Sequence, residues 1–304
     1  MTEVVWEGVM PAITTPFDDA GDVDHAFLAR HAAWMVDAGA TAVVPLGSLG
    51  EGATLDFDEK LAVLDTIVQA VGDRVPVIPG IAALATHQAV ALAQASRDKG
   101  CRGLMVLPPY VYQGPWSETR AHFAAVLEAT DLPCMLYNNP IAYGTDVLPT
   151  QMVELCDRFE NLRAMKESGG DVRRICANHA LLGDRLALFA GLDDMAFEAV
   201  HAGAVGWIAG LVNALPRESV EVFRLARAGE HDAAFALYSW FLPLLRLDTV
   251  PEFVQLIKLV QQEVGMGHER VRAPRRILEG ERREQALEVI RTTLASNPMN
   301  ERSR

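Results

Sequence analysis

Lys166 lies in the stretch NLRAMKESGGD, residues 161–171, where Leu162, Ala164 and Met165 read as one buried strand. An ammonium placed there loses several kcal/mol of hydration unless it gives up its proton readily or reacts. A lysine in such surroundings is a nucleophile for a carbonyl carbon, and the resulting Schiff base is an electron sink. The competing reading is a lysine neutralised by a carboxylate such as Glu167. Of the other three lysines, Lys60 and Lys99 fall on polar helix faces, and Lys258 falls in VQLIKLV near the C-terminus. Tyr137, in PCMLYNNP, ends another strand-like run one unit upstream and could pass protons to a substrate at Lys166. The loop PLGSLGEGATL brings backbone amides, Gly47, Gly50 and the Ser48 hydroxyl together, a cradle for a substrate carboxylate.

These groups need elements to position them. Short apolar runs at VMPAIT (from Val9), TAVVP (Thr41), VPVI (Val75), GLMVL (Gly103), PCMLY (Pro133), LRAMK (Leu162), LALFA (Leu186) and VGWIA (Val205) alternate with amphipathic stretches. That alternation predicts an α/β fold, a (β/α)8 TIM barrel, over residues 1–228. Residues 229–304 read as a C-terminal helical appendage, with a solvated loop around Pro274 and a frayed tail NPMNERSR. In such a barrel the reacting groups gather at the C-terminal ends of the strands. Lys166, Tyr137, Ser48, the Tyr110/Tyr112 loop, Gly191 in AGLDD and Ile208 all fall there.

A chain of 304 residues, half of them hydrophobic, buries a large core. A formal charge of −13 offers no cationic field for nucleic acid or an anionic membrane. The N-terminal run MTEVVWEGVMPAITTPF lacks the charge and long apolar core of a secretion signal, so the cytoplasm is the expected location. Cys101, Cys134, Cys156 and Cys176 form no C-x-x-C pair and read as reduced, buried thiols. No histidine or aspartate spacing supports a metal site.

Taken in order, GVMPAITTPF, GSLGE, YNNP, MKESGGD, GAVGWIAG and VPEFVQLIK resemble the dihydrodipicolinate synthase and N-acetylneuraminate lyase family of class I aldolases and lyases. The resemblance implies a Schiff base between Lys166 and a small 2-oxo acid, with Tyr137 transferring protons and no added cofactor. It makes Ser48 the hydroxyl partner of Tyr137 and the Ser48–Leu49 backbone a carboxylate holder. Tyr110, Tyr112, Asn139 and Ser168 become substrate-binding candidates, and a homotetramer or dimer is implied. Three positions depart from the lysine-biosynthetic pattern. Ala142 replaces an arginine that binds the aldehyde substrate's carboxylate, Leu49 replaces a threonine, and Val111 replaces the tyrosine offered to a neighbouring subunit. The expected activity is therefore catabolic, on a 2-keto-3-deoxy acid, 4-hydroxy-2-oxoglutarate or pyrroline-4-hydroxy-2-carboxylate. The alternatives are the lysine-pathway synthase and a metabolite-binding barrel without catalysis.

Overall fold

The computed structural model describes residues 4–301. Seven strands, β1 (Gly8–Pro11), β2 (Gly80–Ile81), β3 (Leu104–Val106), β4 (Cys134–Asn138), β5 (Leu162–Glu167), β6 (Ala187–Ala190) and β7 (Gly206–Ala209), form one sheet in the order β1-β7-β6-β5-β4-β3-β2. Every pairing is parallel. Parallel neighbours require crossover connections, and helices supply most of them.

The predicted strand TAVVP is present only as single bridges, Ala12 with Val44 and Val43 with Val77. Its amides still bond both neighbours: Val44 N donates to Pro11 O and Val43 N to Pro76 O, 2.8 and 3.0 Å. The segment thus joins β1 to the chain entering β2. The predicted strand VPVI meets the sheet at Val77, and its paired ladder lies farther on, at Gly80–Ile81. Pro45, Pro76 and Pro79 carry no N–H, so a continuous ladder cannot form across these stretches. The result is a curled parallel sheet flanked by helices, consistent with an α/β barrel.

The helices follow from their spacing. In His25–Asp37 the buried side chains are Leu28, His31, Ala32, Met35 and Val36, three or four apart, and Asp24 caps the Phe27 amide at 2.9 Å. Beyond residue 229 come the helices His231–Leu245, Phe253–Glu263 and Gly280–Ala295. The expected frayed tail is instead a short helix over Pro298–Glu301, with residues 302–304 outside the described range.

The C-terminal helices pack against the loops of the sheet, and the stretch around Pro274 is less solvated than expected. Helix Phe253–Glu263 buries Lys258 and Gln261, and Gln261 meets Thr14 just beyond β1 at 3.0 Å. Arg272 clasps Glu59 with both guanidinium nitrogens at 2.8 Å, while Arg276 is solvated as anticipated. Among the cysteines, Cys101, Cys134 and Cys156 are buried, but Cys176 is exposed: it lies on the outer face of the helix Arg173–Leu182. No described helix is long and apolar enough to cross a membrane.

Candidate active site

Tyr137 and Lys166 are register partners on β4 and β5, so their side chains leave the same face of the sheet. The Lys166 ammonium stands 4.0 Å from the centroid of the Tyr137 ring. Both residues are buried, at 6% and 5% exposure. Lys166 accepts no neutralising contact from Glu167, which faces the other way. Glu167 instead takes Asn138 Nδ2 at 3.1 and 3.2 Å and Gly169 N at 2.7 Å, with Arg174 3.5 Å off. Burial raises the Glu167 carboxyl, with Arg174 and Asn138 opposing. The lysine is therefore buried with no hydrogen-bond partner among the described residues, its amine over the Tyr137 ring and its charge acting on Asp193 and Asp248.

Ser48 reaches a tyrosine, but not the expected one. Its hydroxyl shares a short hydrogen bond with Tyr143, while the Tyr137 hydroxyl accepts from Asn139 Nδ2 at 2.9 Å. Asn139, expected to bind substrate, also caps the short helix Pro140–Tyr143 by accepting from Ala142 N at 3.0 Å. That one-turn helix swings Tyr143 back over Tyr137, ring centroids 5.8 Å apart and nearly perpendicular. Tyr110 completes the cluster, its ring centroid 5.4 Å from that of Tyr143. Burial raises the pKa of both Tyr110 and Tyr143. Tyr143 belongs to the constellation, and its only sequence signal was a second tyrosine six positions after Tyr137. Tyr112 does not belong to it: the side chain is exposed and its hydroxyl donates to Glu118 at 2.5 Å, because the loop turns outward after Val111. Val111 itself adopts φ 71° at 79% exposure, a costly conformation for a β-branched residue.

The loop carrying Gly47, Ser48, Leu49 and Gly50 is fixed from beneath. A Cβ on Gly50 would stand 2.8 Å from Ile13 O, and one on Gly52 would stand 2.2 Å from Leu46 O, so larger residues would unseat the turn. Glu51 holds a left-handed φ of 52°, fully buried. Its carboxylate receives Lys258 Nζ at 2.6 Å and Arg272 N at 3.0 Å, and Lys258 also donates to Thr15 O and Arg270 O at 2.8 and 2.7 Å. Arg275 lies 3.8 Å from Glu51, and its charge lowers Tyr110 slightly against burial. This arginine is the cation found on the tyrosine side of the site, and Ala142 is exposed.

On the opposite wall, Ile208 is buried on β7. Gly191 is present because Ser168 Oγ occupies the space a Cβ would take, 2.0 Å from it, and that hydroxyl is buried with no partner. Asp193 is saturated by Trp207 Nε1, Gly210 N and Leu211 N at 2.9, 2.9 and 2.7 Å. Burial lifts it to about 6, with these donors and Lys166 opposing. No described group of histidine, cysteine and carboxylate side chains is arranged to hold a metal.

A buried amine facing a phenol, with hydroxyls and free amides nearby, is suited to imine chemistry on a small carbonyl acid. Residues 5–293 match the model of the dihydrodipicolinate synthetase family. The chain belongs to that family. Its members are class I Schiff-base lyases, and this protein is an enzyme of that class. Among relatives, the 4-hydroxy-tetrahydrodipicolinate synthase of Agrobacterium fabrum is 31% identical over 270 residues, 89% of this chain and 92% of that protein. A dihydrodipicolinate synthase of Bacillus anthracis superposes with a TM-score of 0.91 at 29% identity, covering 95% of this chain and 99% of the other. YagE, a prophage protein of this family from E. coli K12 solved in complex with pyruvate, superposes at 0.89 with 25% identity, covering 95% and 99%.

Proposed function

We propose that Lys166 is the Schiff-base lysine of a lyase acting on a small 2-oxo acid, within a closed (β/α)8 barrel and without an added cofactor. The observation carrying this reading is the ammonium held under 10% exposed against Tyr137 with no acceptor to satisfy it. The free amine attacks the C2 carbonyl and water leaves, giving an iminium that acidifies the protons on C3. A proton then moves through Tyr137 as the C3–C4 bond breaks or a C4 substituent departs, and water releases the product from the lysine. The Ser48–Leu49 amides hold the carboxylate. Tyr143 links Ser48 to the ring stack around Tyr137, so proton traffic to solvent runs by way of Tyr143 and Tyr110.

The direction is catabolic in this reading. An arginine fork on a second substrate carboxylate contributes about 1.5 to 3 kcal/mol, and Ala142 supplies none. Arg275 stands near Tyr110 but is drawn toward Glu51. The curated relatives carry the synthase name, which favours the lysine-pathway synthase as the second reading. A cytoplasmic homo-oligomer, dimer or tetramer, accompanies either one, with Val111 and Tyr112 at its contact.

Pyruvate with borohydride is expected to leave a carboxyethyl group on the Lys166 peptide alone. An adduct on Lys60, Lys99 or Lys258, or none, rejects the mechanism. Competition of aspartate semialdehyde plus pyruvate against hydroxylated 2-oxo acids decides direction: a higher kcat/KM for the semialdehyde reinstates the synthase.

A further inference from the structure

Three strand ends on the wall facing Tyr137 follow one pattern. Lys166 pairs with Phe189, and Phe189 pairs with Gly206, so these three positions share the inner face. Two residues farther along each strand stand Ser168, Gly191 and Ile208, and after Ile208 comes Gly210. Each glycine leaves room for a polar group from elsewhere: Ser168 Oγ at Gly191, and the Asp248 carboxylate at Gly210, where a Cβ would stand 2.2 Å from Asp248 Oδ1 and 3.3 Å from Asp193 Oδ2.

The two aspartates at Gly210 differ. Asp193 has three N–H donors and is spent on fixing the backbone after β7. Asp248 ends the short turn Arg246–Asp248 in the C-terminal region, and no hydrogen bond reaches its carboxylate from any described residue. Ser168, after β5 on the same wall, is wholly buried and its hydroxyl has no partner. Buried polar atoms are nearly always paired, so the unpartnered Ser168 hydroxyl and the half-buried Asp248 carboxylate, which no described residue hydrogen-bonds, mark this wall as a place for a ligand's polar group. The charges of Lys166, Asp193 and Asp194 all act on Asp248, and burial with Asp193 raises its carboxyl well above the usual range, Lys166 opposing. An acid in that condition both donates and accepts.

We propose that Asp248 is a specificity-determining residue, binding a hydroxyl or amino group carried at C4 or beyond on the 2-oxo acid held by Lys166. This rests on the reading of Lys166 as the Schiff-base residue. Pyruvate has no such group, so it serves as the internal control.

The experiment compares wild type, Asp248→Asn and Gly210→Ala, whose new methyl displaces the Asp248 carboxylate without touching its charge. Borohydride trapping of pyruvate at Lys166 is expected to stay within about twofold in all three. With 4-hydroxy-2-oxoglutarate, kcat/KM is expected to fall about 10- to 100-fold in both variants, about the cost of one polar group left unpaired in a closed site, with KM carrying most of the change. An unchanged ratio between the two acids overturns the proposal. So does an equal loss with both, which would make Asp248 a support for the lysine. Absence of trapping in wild type appears before any variant is made and rejects the parent reading as well.

Discussion

The protein buries two lysines and treats them in opposite ways. Lys258, 1% exposed, spends its three donor positions on Glu51, Thr15 O and Arg270 O. Lys166, 6% exposed, has no acceptor and rests on an aromatic ring. Burial pushes the pKa of Lys258 down and Glu51 pulls it back up, which is how an ion pair is kept charged inside a protein. A saturated buried charge is a structural joint, and an unsaturated one is free to react. Depth alone does not separate them.

The contrast can be broken by removing each amine. Lys166→Ala is expected to abolish turnover and pyruvate trapping while leaving denaturant stability within about 1 kcal/mol, because no paired group is orphaned. Loss of folding would show that Lys166 is a joint as well. Lys258→Met leaves Glu51 buried without its main partner and is expected to cost about 3 to 5 kcal/mol of stability. A stable Lys258→Met protein with unchanged KM for pyruvate would mean that the Gly47–Gly50 loop does not depend on this pair.

His31 lies between the two cases, with Nε2 on Asn213 O at 2.7 Å and Nδ1 buried without a partner. Burial lowers it to about 4, against its backbone bond. Between pH 6.5 and 4 the unfolded chain therefore binds a proton that the folded one refuses. Its contribution is complete above pH 6.5 and declines by about 3 kcal/mol as pH falls to 4. Chemical denaturation of His31→Gln across this range is expected to show a shallower loss than wild type. Parallel curves would assign the slope to other groups.

Much of this was legible in the sequence. Lys166 and Tyr137 announced themselves because a charged group in an apolar run and a strand-end phenol are local patterns, and strand periodicity puts them on one face. The proline-interrupted segments were read as ordinary strands, since apolar content does not reveal missing ladder donors. Contacts that depend on fold-back were not legible. Nothing near Ser48 indicates that its hydroxyl meets Tyr143, 95 positions on, instead of Tyr137. How closely the C-terminal helical appendage meets the strand-end loops was not legible either, because Lys258 and Asp248 become neighbours of Glu51 and Gly210 only after the chain has closed.

That closure sets a timetable. Glu51 meets Lys258 across 207 residues and Arg272 across 221. At ribosomal rates of about 5 to 20 residues per second, roughly 10 to 40 seconds separate synthesis of the loop from arrival of its counter-charge. A nascent chain can lay down Tyr137 and Lys166 long before the Gly47–Gly50 loop is locked. On the proposed reading, substrate capture becomes available only to a finished molecule, and a chain broken off before residue 258 keeps Lys166 but loses the anchor of the Gly47–Gly50 loop.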